Sequence, residues 1–388
     1  MKQQTNIILP GATIGILGGG QLGRMTAMAA RSLGYRSQVL DPDPSCPARW
    51  VVDACFSASL DDARAAADLA RGSDVVTIEI EKVSLDSMRA AAKHAPVRPD
   101  ADVLEIIQHR ATQKDWLSKH NFPVGDYRVV KSAMELDRAA RELNAECYVK
   151  AAQGGYDGRG QAMLHSPTDA HKAWLYLGAE VCVAEKALDI EYEISVLVAR
   201  SPSGQTAVYP PALNHHTNRI LDWSVIPAPI PPALEHEASR LADSIARDIN
   251  IIGLLAVEMF VLKDGKLLVN ELAPRPHNSY HASERACATS QFENCVRAVC
   301  NLPLGTPEVL KPAAIVNLLG DLWLKHPHPS FNEALSVPGL RLHLYDKQQP
   351  KAGRKMGHLS AVGATPQEAV ERVKQAKEIL ERGLGIRD

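Results

Sequence analysis

The apolar positions change rhythm along the chain, and the changes outline its architecture. Thr13–Leu17 is a short apolar run that reads as a strand, and GGGQLG at 18–23 leads from it into a helical pattern over 24–33. Gly34 ends that helix, and the apolar run at 37–40 reads as a second strand closing at Asp41. An Ala-rich helix over 60–71, a strand over 75–80, a helix over 88–94 and an extended run from Val97 to Pro99 continue the alternation. Strands alternating with helices predict βαβ units and a parallel sheet, so residues 1–102 read as a doubly wound α/β domain after a loose lead-in of about ten residues.

From residue 103 the rhythm is slower and mixed. A helix is predicted over 103–120, with Arg110 and Lys114 four apart on one face. Residues 122–124 read as an extended turn, 133–143 as a helix and 146–150 as a strand. Further strands are predicted at 181–186, 193–198 and 208–210, then a proline-rich connection at 227–232 and an amphipathic helix at 234–249. The neighbouring histidines within 214–218 read as loop residues. Two apolar strands at 255–262 and 267–272 flank the turn pair Asp264-Gly265, which predicts a hairpin, and a helix follows over 290–299. This is an α+β pattern over 103–305, with a small lobe at about 125–190. Strands at 314–318, 343–345 and 360–363, a basic turn at 351–358 and a helix over 367–382 make 306–388 a small C-terminal lobe.

Composition narrows the class. Of 388 residues, 45% are hydrophobic and 23% charged, ordinary for a globular protein, and 388 residues suggest two or three domains. The formal charge of -2 gives no global footprint for nucleic acid. No apolar run approaches a membrane span, and the N-terminus lacks the order of a signal peptide. Seven scattered cysteines without a CxxC pair fit a reducing cytoplasm.

Five places carry candidate chemistry. Residues 150–161 read KAAQGGYDGRGQ, with Gly154, Gly155, Gly158 and Gly160 around Asp157 and Arg159. Such a run beside Lys150 suits a mobile phosphate cover, and it also suits a polar hairpin turning at Asp157-Gly158. Glu258 lies inside an apolar strand and Glu271, next to Asn270, in its hairpin partner, at comparable distances from the turn. Two carboxylates in apolar strands are costly unless paired or metal-bound, and hard oxygen ligands suit magnesium with substrate phosphates; an inter-strand salt-bridge network is the alternative. Gly18, Gly20 and Gly23 with Asp41 satisfy the dinucleotide fingerprint, a turn that also serves folds binding no dinucleotide. Glu79 and Glu81 alternate with Ile80 at a strand end, where ligands of parallel sheets bind. Arg275 opens a polar segment, RPHNSYH, whose His277 and His281 lack the helix and third ligand of a zinc site.

The blocks ILGGGQLGRM (16–25), IEIEKV (78–83), GGYDGRGQ (154–161), AVEMFV (256–261), LLVNELAPRPHNS (267–279), TSQFE (289–293) and GRKMGH (353–358) span nearly the whole chain. Together they make it resemble the ATP-grasp enzymes and, within them, the N5-carboxyaminoimidazole ribonucleotide synthase family. The resemblance implies an ATP-grasp fold with an N-terminal Rossmann-like (pre-ATP-grasp) domain. It implies an ATP-dependent ligase of purine biosynthesis that carboxylates 5-aminoimidazole ribonucleotide with bicarbonate through carboxyphosphate, with magnesium or manganese, as a cytoplasmic homodimer with no nucleic-acid or membrane partner. It assigns Arg110 and Lys150 to ATP phosphates, with Gly154, Gly155, Tyr156, Asp157, Gly158, Arg159 and Gly160 covering them. Glu185, Lys186, Ala187 and Leu188 would flank adenine, Glu193 the ribose, and His216 and Asn270 the nucleotide and metal surroundings. Glu258 and Glu271 would hold the metal. Tyr156, Asp157, Arg275 and Lys355 would carry the carboxylation chemistry, with Gln21, Leu22, Glu79 and Arg354 also on the ribonucleotide side.

Departures from the family pattern are Tyr280 in place of glycine, the less acidic-aromatic frame at 78–82, and Ala187-Leu188 beside the adenine site. The first two would reshape the aminoimidazole pocket and the third would loosen adenine packing. Two other readings remain: a sister ligase such as a formate-dependent glycinamide ribonucleotide transformylase, and a Rossmann oxidoreductase. A non-catalytic nucleotide-binding protein is a third, disfavoured by the number of motifs.

Overall fold

A computed structural model describes residues 6–144, 146–154 and 160–382. Four parallel strands form the first sheet, in the order Ala54–Ser57, Arg36–Asp41, Thr13–Leu17, Val75–Ile78. Their side chains are largely buried because helices cover both faces, which is why the strands read as unbroken apolar runs. Asp62, Ser84 and Asp100 start the helices Ala63–Arg71, Leu85–Ala91 and Ala101–Gln108 by accepting main-chain N–H bonds. The first long helix, Gln21–Ser32, ends before Gly34, whose φ of +84° closes the turn.

The helix predicted over 103–120 is two helices, Ala101–Gln108 and Arg110–Lys119. His109 between them is extended, and its ring caps the second helix. The break has a structural use: it frees the Arg110 N–H to donate to the Ala152 carbonyl at 2.8 Å, tying the new helix start to the glycine segment. No glycine or proline marks the break, so periodicity read straight through it.

Four antiparallel strands form a small sheet in the order Tyr127–Val130, Cys182–Lys186, Cys147–Ala151, Gln161–Leu164. Cys147–Ala151 and Gln161–Leu164 are the hairpin arms on either side of the glycine run. The large sheet has nine strands. It runs Leu267–Ala273, Gly253–Leu262, Ile190–Arg200, Ala212–Thr217, Ile220–Ile226, Ala313–Leu319, Lys355–Val362, Leu340–Leu344, with Thr206–Val208 beside Ile190–Arg200. Helix Pro232–Asp248 and the two helices around His109 pack their apolar side onto it through Val196, Ile245, Leu255 and Val257.

One expectation changes here. The segment around His215 and His216 is a strand, Ala212–Thr217, not a loop. The C-terminal strands continue the large sheet, because Ala313–Leu319 pairs with Ile220–Ile226. Helix Pro366–Arg382 then covers that end of the sheet.

Candidate active site

Glu258 and Glu271 are directly opposed across the hairpin. One residue further on, the register slips: Met259 pairs with Val269, leaving Asn270 as the extra residue of a bulge. Regular strand geometry would send Asn270 and Glu271 to opposite faces, and a bulge re-aims one of them. The buried Asn270 Oδ1 has no hydrogen-bond partner. Glu258 is 16% exposed and its Oε1 lies 3.0 Å from His277 Nε2. Burial opposes its charge, but the His277 contact, with His216 and Arg275 nearby, holds its carboxyl down to about 2. Two paired carboxylates and an unpartnered amide oxygen form a hard oxygen donor set that fits magnesium.

The His277 ring is itself fixed. Its Nδ1 lies 2.7 Å from Ser279 Oγ, which meets Ser195 Oγ at 2.8 Å, and Asn214 donates to Ser195 at 3.1 Å. This buried polar chain sets the orientation of the nitrogen that faces Glu258.

Cations face the carboxylate pair from the small sheet and the second helix. Arg110 reaches both sheets, 3.0 Å from Glu271 Oε2 and 4.0 Å from Glu185 Oε1. Lys150 Nζ lies 3.0 Å and Lys114 Nζ 3.7 Å from Glu185 Oε2. Burial disfavours charge on Glu185, but Lys150, Lys114 and Arg110 together bring it down to about 2. Burial, helped by the Lys150 charge, lowers the Lys114 ammonium to about 8 against the pull of Glu185. Three cations around one carboxylate form a cradle with positive charge to spare, suited to polyphosphate. Gly154, with φ +79° and open space where a Cβ would stand, opens the glycine run. Gly155, Tyr156, Asp157, Gly158 and Arg159 lie outside the described residues.

Lys186, Ala187 and Leu188 connect the last strand of the small sheet to Ile190–Arg200 of the large one, so they stand at the junction of the two. The Lys186 and Ala187 N–H groups are bonded to Asp126 and Glu146 carbonyls. Leu188 packs over Gly125, where an added Cβ would meet its Cδ1 at 3.3 Å. Glu193 and His216 sit on adjacent strands and line a cleft of about 270 Å³ with Asn214 and Trp223. His216 Nδ1 approaches Glu193 Oε2 to 3.0 Å, off the direction of a hydrogen bond. A larger hollow lies on the first domain at Ile8, Asp74 and Arg98, lined by none of these groups.

Arg275 pairs with Glu81 at 2.8 Å, joining the 275–281 segment to the first domain. Lys347 Nζ donates to Gln21 Oε1 at 2.7 Å and to the Lys355 carbonyl at 2.6 Å, so one ammonium links Gln21 to the strand that starts at Lys355. The charge of Lys355 is felt at His216. Arg354 donates to the Gln349 carbonyl of its own turn.

Three sequence readings take a different form. Glu79 and Glu81 do not share a strand face, because the strand ends at Ile78. Glu79 turns under the glycine turn, where its two oxygens accept from Gly20 and Gly23 N–H at 2.9 Å each. Leu22 packs its side chain with Met25, Phe292 and Tyr345. Tyr280 lies wholly in the core, its hydroxyl donating to the Ser195 and Pro210 carbonyls, so it does not line a pocket.

The glycine turn also speaks on the oxidoreductase reading. Gly19 N–H donates to Asp41 Oδ2 at 2.7 Å, so the N–H groups of Gly19, Gly20 and Gly23 are all taken by the protein's own carboxylates. A dinucleotide pyrophosphate needs such groups free. The glycines are required for packing: a Cβ on Gly20 would stand 2.5 Å from Glu79 Oε1.

Sequence reasoning passed over Lys114, His277 and Lys347 as site residues. Lys114 carried a usable signal, its spacing of four from Arg110. The others reach the site only through long-range folding.

Residues 11–108 match the ribonucleotide synthetase preATP-grasp domain, 115–292 the ATP-grasp domain, and 313–372 the phosphoribosylaminoimidazole carboxylase C-terminal domain. The chain is 40% identical over 368 residues to the N5-carboxyaminoimidazole ribonucleotide synthase of Bacillus subtilis, covering 95% of this chain and 96% of the relative. It is similar to a crystal structure of an ADP complex of N5-carboxyaminoimidazole ribonucleotide synthetase, with a TM-score of 0.91, 43% identity and 98% and 99% of the two chains covered. It is also similar to the Aspergillus clavatus N5-carboxyaminoimidazole synthase in complex with ADP and 5-aminoimidazole ribonucleotide, with a TM-score of 0.88, 30% identity and 96% and 99% covered.

Proposed function

Because this chain belongs to the N5-carboxyaminoimidazole ribonucleotide synthase family, we propose that it carboxylates the exocyclic amine of 5-aminoimidazole ribonucleotide, using ATP and bicarbonate. A bicarbonate oxygen attacks the γ-phosphorus of ATP, ADP leaves, and carboxyphosphate forms. The amine nitrogen then bonds to the carboxyl carbon, or to CO2 released from it; phosphate leaves and the amine gives up a proton. The observation that carries this reading is the opposed pair Glu258 and Glu271 facing the cations Arg110, Lys114 and Lys150.

In this reading Arg110, Lys114 and Lys150 hold the ATP phosphates, exchanging Glu185 and Glu271 for phosphate oxygens. Glu258 and Glu271, with Asn270 beside them, hold magnesium or manganese, which when bound offsets charge on the transferring phosphoryl group. Lys186, Ala187 and Leu188 flank adenine at the sheet junction, and Glu193 with His216 takes the ribose. Arg275, Lys355, Arg354 and Gln21 face the ribonucleotide, with Glu79 shaping the turn that presents Gln21. Gly154, Gly155, Gly158, Arg159 and Gly160 close over the phosphates and keep water from carboxyphosphate. Tyr156 and Asp157 stand beside the reacting amine. The enzyme works as a cytoplasmic homodimer, a placement supported by seven free thiols, six of them buried.

Phosphate release with ATP, bicarbonate and 5-aminoimidazole ribonucleotide, each omitted in turn, tests the assignment. Release that needs the aminoimidazole ribonucleotide and bicarbonate supports it. Release driven instead by formate and glycinamide ribonucleotide overturns it in favour of the sister ligase.

A further inference from the structure

Next to the ribonucleotide side stands a group of side chains that the reaction does not use. His343 on Leu340–Leu344 and His358 on Lys355–Val362 are direct cross-strand partners, and their rings stack at 5.1 Å. The short helix Ser283–Ala286, packed against Lys355–Val362, carries Glu284. One ligating atom from each of Glu284, His343 and His358 lies within 4.8 Å of the others, and among the described residues this is the one such group of three.

The surroundings favour metal binding. The Tyr345 hydroxyl lies 2.8 Å from His358 Nδ1, which fixes the ring and leaves Nε2 for a metal, the outer-shell arrangement usual for ligating histidines. His281 also stacks on His358, at 4.9 Å, and its buried Nε2 has no hydrogen-bond partner. Arg341 faces Glu284 and Arg24 faces His343, so the single carboxylate must carry the charge balance of the site.

Two imidazole nitrogens and one carboxylate oxygen suit zinc and its neighbours, whereas magnesium prefers oxygen alone. Tetrahedral zinc with bonds of about 2.0 Å needs ligands roughly 3.3 Å apart. Glu284 and the two rings therefore draw together when an ion binds.

We propose that Glu284, His343 and His358 bind one divalent ion of the zinc class, clamping helix Ser283–Ala286 to the strand that begins at Lys355. The site shares no residue with the oxygen site at Glu258 and Glu271, and it would hold the Lys355 strand in place.

Cobalt titration of the chelator-treated, dialysed full chain tests this. The expected result is one Co2+ per chain with visible d–d absorption, displaced by Zn2+, and a higher melting temperature in Zn2+ that chelator reverses. The absorption persists in Glu258→Gln and in Glu271→Gln. It disappears in His343→Gln, and Glu284→Gln weakens cobalt binding by at least about tenfold. Circular dichroism shows which variants are folded, and the surface variant Glu284→Gln decides the matter if His343→Gln is not. Absence of the absorption in the wild type, its retention at full affinity in folded Glu284→Gln, or its loss in Glu258→Gln would each overturn the proposal.

Discussion

Replacing Glu185 by glutamine removes the one negative charge shared by Lys150, Lys114 and Arg110 at 3.0, 3.7 and 4.0 Å. Its side chain is 11% exposed, so solvent does little to screen the three cations left behind. Breaking a buried pair by removing one partner costs about 3–5 kcal/mol. Against a domain stability of about 5–15 kcal/mol, that is a large fraction. If the cations form a phosphate cradle, ATP supplies the missing charge. Wild type at a hundredfold excess of ATP over Kd gains about 2.7 kcal/mol, and Glu185→Gln should gain more, because its cations no longer have to leave a carboxylate. The pH dependence has a definite sign. The folded carboxyl is depressed from 4.5 to about 2, so its stabilisation is complete above 4.5 and fades as pH falls toward 2. The gap between wild type and variant should therefore be full at pH 7 and smaller at pH 3.5. Urea denaturation of both proteins, with and without ATP, reads all three effects. A loss under about 1 kcal/mol at pH 7, or an ATP gain no larger in the variant than in wild type, would refute the cradle.

Other outcomes follow from the same geometry. Glu271→Gln should lower turnover by about a hundredfold or more, with a raised magnesium requirement in steady-state kinetics. His277→Ala frees Glu258 from its 3.0 Å partner, so the Glu258 carboxyl should titrate higher and the acid limb of the pH–rate profile should move up. Gly20→Ala must displace the Glu79 carboxylate, which it would meet at 2.5 Å, and should cost about 1–3 kcal/mol by thermal unfolding. Asp157→Asn should damage carboxylation more than ATP affinity, measured by product formation and nucleotide titration; equal losses would contradict its place beside the amine.

Much of the fold was legible because each sheet announces itself differently. Continuous apolar runs between Ala-rich helices gave the parallel sheet, and Asp264-Gly265 gave the hairpin that opposes Glu258 to Glu271. The slip at Asn270 was not legible, since no glycine or proline marks it and the neighbouring polar pair Asn270-Glu271 read as regular strand. Nor was the break at His109, where a histidine that can cap does the work usually signalled by glycine or proline. Glu79 shows the limit of strand-end logic: period two placed it beside Glu81, but the chain leaves the strand at Ile78 and the carboxylate fills its own glycine turn. Lys347 and Gln21 lie far apart in sequence and share one hydrogen bond, a contact no local pattern encodes.

The most direct test of the account is the fate of bicarbonate oxygen. With 18O-labelled bicarbonate, ATP and 5-aminoimidazole ribonucleotide, transfer through carboxyphosphate predicts one label in each phosphate released, in step with carboxylated product. Phosphate released without label, while product forms, would contradict it.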